Sequence, residues 1–388
     1  MSWPNVALGE IFDIARGGSP RPIDDYITDA PDGVNWISIK DASNSSKYIT
    51  KTAKKILPSG VSRSREVKPG DFLLTNSMSF GRPYILQISG CIHDGWLVLS
   101  GADKVVNQDY FYHLLGSDPI YRKFKSLAAG AIVKNLNIDL VKTVSVPLPP
   151  IAEQRRIAAI LDKADALRAK RREAIAKLDQ LLQSVFLEMF GDPVTNPKGW
   201  PVGRLADLGE LDRGVSRHRP RGAAELLDGE HPLIQTGDVA RSGGYIRKFN
   251  TTYSDVGLAQ SKKWPAGTLC ITIAANIADT GILTFDACFP DSVVGFTASE
   301  ASNAEFVQSL MSFLREILEK KAPQVAQKNI NLAILRELPI PIPPVGAQKK
   351  WASFAASVEN MRQSLRIAED FGSRLFASVR RDAFAGTL

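Results

Sequence analysis

Arginines crowd two short stretches of this sequence. Arg213, Arg217, His218, Arg219 and Arg221 fall within nine residues, and a sparser run, Arg16-Gly17-Gly18-Ser19-Pro20-Arg21, stands near the start. Guanidinium forks donate in pairs to phosphate oxygens and to the O6/N7 edge of guanine, so such loops can both anchor and read a nucleic acid. The bland alternative is a pair of solvated surface loops. Two further segments are candidates of the same kind. Thr75-Asn76-Ser77-Met78-Ser79-Phe80-Gly81-Arg82 offers Ser77, Ser79 and Arg82, and its counterpart Thr272-Ile273-Ala274-Ala275-Asn276 offers Asn276. Lys134-Asn135 and Lys328-Asn329 each precede a proline-rich stretch. Small polar side chains on loops approach base edges at low entropic cost.

A catalytic reading finds little to hold. There is no G-x-x-x-x-G-K-[ST] phosphate loop, no glycine fingerprint after a strand, and no G-x-S-x-G elbow. No Asn-Pro-Pro or Asp-Pro-Pro run precedes an aromatic, as adenine amino-methylation would need. A metal-nuclease pattern can be drawn from Pro31-Asp32 and Glu66-Val67-Lys68, but Lys263, Trp264 and Pro265 stand where that second cluster should repeat. Cys91 and His93 lack a second Cys/His pair for zinc, and Pro290 replaces the histidine beside Cys288. We therefore expect no catalytic residue, metal or cofactor in this chain.

What must position these loops is a duplicated domain. Trp3-Pro4 matches Trp200-Pro201, Arg16-Gly17 matches Arg213-Gly214, and Asp41 matches Asp238. Tyr48-Ile49 falls on Tyr245-Ile246, Gly70 on Gly267, Thr75 on Thr272, Ile85-Leu86 on Ile282-Leu283 and Cys91 on Cys288, all 197 apart. Lys134-Asn135, Pro149-Pro150 and Gln154 recur 194 residues on, at Lys328-Asn329, Pro343-Pro344 and Gln348. A period this long means domain-sized units rather than a solenoid. Each unit opens with strand-like runs (Trp36–Ile39 and Asp71–Thr75; Pro232–Gln235 and Thr268–Thr272) and short helices near Asn107–Leu115 and Ala304–Glu319. A proline hinge follows, Val146–Pro150 or Leu338–Pro344, and then a long helix.

The first long helix carries Ile157, Ile160, Leu161, Ala164, Leu167, Ile175, Leu178, Leu182, Val185 and Met189 at three- and four-residue steps, and Gly191-Asp192-Pro193 stops it. The second carries Trp351, Phe354, Val358, Met361, Leu365, Ala368, Phe371, Leu375 and Val379, then Gly386. A narrow stripe on so long a helix needs a partner, and the other copy is the obvious one. The expectation is an α+β fold: two globular domains separated by two long antiparallel helices that form a coiled coil, with pseudo-two-fold symmetry. The boundaries are 1–146, 147–192, 193–338 and 339–388.

The bulk numbers agree with such a fold. The 388 residues are 44% apolar with a net charge of +7, which permits nucleic-acid partners without requiring them. No secretory signal or membrane-length apolar run is visible, and three cysteines suit a reducing compartment, so a cytoplasmic protein is expected.

At the hinge the sequence acquires a family likeness. Val146-Pro147-Leu148-Pro149-Pro150-Ile151-Ala152-Glu153-Gln154-Arg155-Arg156-Ile157-Ala158 resembles the central signature of specificity subunits of type I restriction–modification systems. Gly70–Leu74 and Ala129-Gly130…Lys134-Asn135-Leu136 resemble the same family's target-recognition domains. The second copy departs at the signature, where Val345-Gly346-Ala347-Gln348-Lys349-Lys350 lacks the glutamate and Ala322-Pro323 replaces the glycine. The resemblance implies a non-catalytic subunit that reads a bipartite, gapped double-stranded DNA site, one recognition domain per half, with the helices setting the gap. It further implies docking of two methyltransferase subunits that use S-adenosylmethionine and two ATP- and magnesium-dependent motor–nuclease subunits. The basic face of the first helix (Arg155, Arg156, Arg168, Lys170, Arg171, Arg172) would serve docking or the DNA backbone. The rival reading is a helical adaptor that joins partners without sequence-specific DNA contact.

Overall fold

Phe72-Leu73-Leu74 and Trp96-Leu97-Val98-Leu99 are apolar without interruption because both faces of their sheet are covered. Alternate residues go to opposite sides. Phe72, Leu74, Leu97 and Leu99 enter a core shared with helices, and Leu73, Trp96 and Val98 enter a second core against Ile37 and Ile92. The second copy divides its strands the same way: Leu269, Ile271, Val294 and Phe296 to one side, Cys270 and Val293 to the other.

These runs belong to a computed structural model that describes residues 3–76, 81–101, 105–128, 136–274, 277–321 and 330–388. The chain is α+β and clusters into unit 1, Met1–Arg172 with Ile367–Leu388, and unit 2, Glu173–Arg366. Unit 1 holds β1 (Asn5–Ala7), β2 (Asp13–Arg16), β3 (Ile27–Thr28), β4 (Val34–Ile37), β5 (Tyr48–Ile49), β6 (Lys54–Ile56), β7 (Arg65–Val67), β8 (Phe72–Thr75), β9 (Pro83–Leu86), β10 (Gly90–Ile92), β11 (Trp96–Ser100) and β12 (Ser145–Pro147). Its helices are α1 (Leu8–Ile11), α2 (Ile39–Ser43), α3 (Gln108–Leu115), α4 (Asp118–Ala128) and α5 (Ile138–Lys142); α6 (Ile151–Phe190) continues into unit 2. Unit 2 adds β13 (Val202–Arg204), β14 (Gly209–Arg213), β15 (Leu227–Leu233), β16 (Gly244–Ile246), β17 (Thr251–Tyr253), β18 (Lys263–Trp264), β19 (Leu269–Thr272), β20 (Thr280–Leu283), β21 (Ala287–Cys288), β22 (Val293–Ala298) and β23 (Pro339–Pro341). Its helices are α7 (Thr236–Ala240), α8 (Asp255–Ala259), α9 (Ala304–Lys321) and α10 (Leu332–Arg336); α11 (Val345–Ala385) runs back into unit 1.

The strand orders β2-β11-β8-β9-β5 and β14-β22-β19-β20-β16 are the same sheet twice. Beside them lie β3-β6-β4-β10-β7 and β17-β15-β21-β18. The repeated dipeptides now have physical reasons. Tyr48-Ile49 is the parallel ladder partner of Ile85-Leu86, and Tyr245-Ile246 meets Ile282-Leu283 in the same register. Asp41 and Asp238 close capping boxes on α2 and α7. Ser38-Ile39 and Ile234-Gln235 therefore leave the strands expected of them, Ser38 and Gln235 capping a helix and Ile39 starting one. Thr75 and Thr272 each accept from a main-chain N–H seven residues on, at Arg82 and Asp279.

The proline stretches are less hinge than ladder. β12 pairs with β1, β23 pairs with β13, and the Leu148 and Ile342 N–H groups donate to the Pro4 and Pro201 carbonyls at 2.9 and 2.8 Å. A buried glutamine then fixes the start of each long helix. Gln154 donates to the Val105 and Pro149 carbonyls and accepts from the Asn107 N–H; Gln348 donates to Ala301 and Pro343 and accepts from the Ser302 hydroxyl.

The long helices pair antiparallel. In unit 1, Arg172 bonds Glu369 at 2.8 Å and Arg168 lies 4.7 Å over the Phe376 ring. In unit 2, Asp179 pairs with Arg362, and Phe186 meets Trp351 edge-on at 5.2 Å. The apolar stripe read from sequence is only partly the packed face. Ile157, Leu161, Trp351 and Val358 are buried, but Leu167, Met361, Phe371 and Leu375 are exposed, and Phe186, Phe190 and Phe376 fill the cores instead. Of the basic residues on α6, Arg156 is engaged by Glu153 and Arg168 by Asp165. Among the described residues no helix is long and apolar enough to cross a membrane.

Candidate nucleic-acid interface

Arg16 ends β2, and its Nε donates to the main-chain oxygen of Asp94 at 3.0 Å, across 78 residues of sequence. The loop it begins is pinned to the β10–β11 turn. Gly17 and Gly18 donate to the Trp96 and Ile92 carbonyls, and Ser19 Oγ bonds the Asp94 carboxylate at 2.9 Å. Arg21, strongly exposed, reaches the same carboxylate at 3.6 Å. Burial pushes the Asp94 carboxyl up, but the Ser19 hydrogen bond, its own main chain, His93 and Arg16 outweigh it and hold it below the usual carboxylate range. Gly17 has no room for a side chain there: a Cβ would lie 2.0 Å from the His93 carbonyl oxygen.

Unit 2 repeats the arrangement. Arg213 ends β14 and its Nε donates to the Asp291 main-chain oxygen at 2.9 Å, again across 78 residues. The Asp291 carboxylate pairs with Arg221 and, at 3.7 Å, with Arg219. Arg219 also donates to the Ser216 and His218 carbonyls, and the Arg217 N–H to Gln260. Arg213, Arg217, Arg219 and Arg221 are all exposed. The peptide bonds Arg21–Pro22 and Arg219–Pro220 are both cis, the second lying one residue further from its strand-end arginine than the first.

The other candidates are placed unequally. Ser77, Ser79, Lys134, Asn135, Asn276, Lys328 and Asn329 lie outside the described residues, as do the Ala129-Gly130 and Ala322-Pro323 pairs. Their flanks converge on the same turns. Asn76 N–H donates to Gly95, its side chain reaches the Asp94 carbonyl at 3.4 Å, and its Oδ1 accepts from Leu136 N–H at 2.8 Å. In unit 2, Ile273 N–H donates to Ser292 and accepts, through its carbonyl, from Ile330. Arg82 stands apart from Arg16 and Arg21. It lines a cleft of about 320 Å³ with Tyr112, Asp165, Arg168 and Phe376, whereas Arg21 lines one of about 750 Å³ with Trp36, Lys40, Asp41, Lys54 and Asp94.

Asp94 and Asp291 were not among the sequence candidates, and Asn76 lay inside a candidate segment without being singled out. The two aspartates carry a sequence signal, since they too are 197 apart. Chemically, each unit carries an exposed guanidinium loop hydrogen-bonded to the neighbouring turn. Among the described residues no group of three or more His, Cys, Asp or Glu could hold a metal ion, and Cys91, Cys270 and Cys288 are buried thiols raised by burial.

Comparison with known proteins bears on what these loops serve. The model of the Type I restriction modification DNA specificity domain matches residues 2–177 and again 197–366. The type I restriction enzyme MjaIX specificity subunit of Methanocaldococcus jannaschii is 27% identical over 236 residues, 55% of this chain and 52% of that protein. The MjaVIII specificity subunit of the same organism is 20% identical over 390 residues, 92% and 86% of the two chains. This chain thus spans about half the length of the first relative and most of the second. In fold it is similar to the type I restriction–modification S subunit from M. genitalium, with a TM-score of 0.61 at 13% identity over 98% and 96% of the chains. A chain solved in work on the assembly and conformational transition of the type I R-M system gives 0.60 at 18% identity over 100% and 98%. With the family's domain matched once in each half, this chain belongs to the DNA specificity subunits of type I restriction–modification systems, a non-catalytic family.

Proposed function

We propose that each unit reads one half of a bipartite, gapped double-stranded DNA site, and that α6 and α11 set the gap. The observation that carries this is the repeated rim: two arginine loops in the same place on the same sheet, with different side chains. Grip on phosphates alone would not need the loops to differ, whereas two half-sites of unlike sequence would. The reading residues are Arg16, Gly17, Arg21, Ser77, Ser79, Arg82, Lys134 and Asn135 in the first recognition domain (1–146). In the second (193–338) they are Arg213, Arg217, Arg219, Arg221, Asn276, Lys328 and Asn329. The segments 147–192 and 339–388 dock two methyltransferase and two motor–nuclease subunits in the cytoplasm; S-adenosylmethionine, ATP and magnesium belong to those partners. Ile367, Phe371 and Leu375, exposed at four-residue steps on α11, support a docking role. The test is selection from a random-sequence duplex pool with the methyltransferase partner present. Enrichment of a motif in two parts with an unread gap is expected; no enrichment would favour the adaptor reading.

A further inference from the structure

Both units tie their reading loop to one aspartate through ion pairs that themselves add little to stability. The Arg21, Arg219 and Arg221 side chains are 80%, 55% and 46% exposed, and the Asp94 and Asp291 side chains 46% and 37%. Ion pairs so open to water contribute about 0–1 kcal/mol to folding. Yet the pairing recurs although one residue is inserted before the cis-proline of the second loop and Arg217 and His218 stand where the first loop has Pro20 alone. A guanidinium has five N–H donors in a fixed fork, and one carboxylate engages only one edge of it. Arg221, hydrogen-bonded to Asp291 through one nitrogen, and Arg21, 3.6 Å from Asp94, keep donors open to solvent, while Arg219 spends Nη1 on the Ser216 and His218 carbonyls. The carboxylate also places a negative charge where a DNA phosphate would otherwise settle on the arginines.

We infer that Asp94 and Asp291 are positioning residues that determine specificity: each holds its loop's guanidinium groups toward base edges and opposes their capture by phosphate. The inference rests on the reading above, that the arginine loops meet DNA. Removing the charge while keeping the shape should then loosen discrimination without loosening grip.

The experiment uses the full chain with its methyltransferase subunits, the duplex that the wild type enriches from a random pool, and a scrambled duplex of equal length and composition. Asp291→Asn is expected to lower the ratio of enriched-site to scrambled-site affinity about tenfold, the worth of one oriented arginine–guanine pair, with no loss of affinity for the scrambled duplex. Asp94→Asn should do the same through the other half-site, so motifs selected with each variant blur in opposite halves. Asp291→Glu, which keeps the charge, should recover part of the ratio. An equal fall in both affinities would mean a merely structural role and would overturn the inference, as would no effect of either Asn variant while Arg219→Ala/Arg221→Ala weakens binding. If that arginine double variant binds both duplexes like the wild type, the loops do not meet DNA, and the reading fails together with the inference.

Discussion

Gly17 and Gly214 are where the arginine loops leave their strands, and both lie hard against the opposite turn. A Cβ at Gly214 would stand 2.3 Å from the Phe289 carbonyl oxygen, as one at Gly17 would meet His93. Backbone cannot swing aside as a side-chain tip can, so Gly17→Ala or Gly214→Ala should cost about 1–3 kcal/mol and displace the loop. Gly222, with nothing within 4 Å of an added Cβ, is the control. Thermal unfolding should show a lower midpoint for the first two variants and none for Gly222→Ala. Protons act at the same scale. Burial lowers His93 and His113 below the ordinary imidazole range, with Asp94 and Asp162 pulling weakly the other way. The unfolded chain takes up these protons near pH ~6.5, before the folded chain does. Their contribution to stability is therefore whole above that pH and is lost as pH falls through the lower folded values. Amide protection factors in unit 1, corrected for the intrinsic pH dependence of exchange, should fall on acidification from about pH 7.5 to about 5.5, and His113→Gln should flatten the response. A pH-independent profile would refute this account.

At the scale of elements, Gln154 and Gln348 are the joints between head and helix. Gln154→Met keeps the volume but leaves the Asn107 N–H and the Val105 and Pro149 carbonyls without their partner, a loss of about 2–3 kcal/mol. Denaturant unfolding followed in unit 1 should report it, and wild-type stability in the variant would disprove the joint. Much of this scale was legible in the sequence, because it is decided locally. Gly191 and Gly386 close α6 and α11 with positive φ, and the repeated Asp41/Asp238 and Tyr48-Ile49/Tyr245-Ile246 pairs mark caps and ladder rungs. The packed face of α11 was not legible. Phe371 and Leu375 are as apolar as Phe376, and only the position of α6 decides which of them is covered. The repeat marks Asp94 and Asp291 but not what they meet, since each takes the strand-end arginine on its main-chain oxygen across 78 residues that must fold first.

For the whole molecule, the proposal that the helices measure the gap has a sharp consequence. Deleting seven residues from each of α6 and α11 preserves their faces and removes about 10.5 Å of rise. That is roughly three base pairs at ~3.4 Å each. The selected motif should shorten its gap by about that much with both half-sites unaltered; changed half-sites would exclude the ruler.

Unit 2 is one unbroken segment, Glu173–Arg366, whereas unit 1 draws Phe376 and Ala383 of α11 into a core begun by Leu8 and Ile11. On the ribosome the second head is therefore complete first. The first head, emerging earliest, waits for its closing helix through the synthesis of everything between, roughly 10–40 s at ~5–20 residues per second. Throughout that interval its apolar seat for α11 is open to chaperones, and a message cut short before Ile367 yields a chain whose second head has all its residues while its first lacks Phe376 and Ala383.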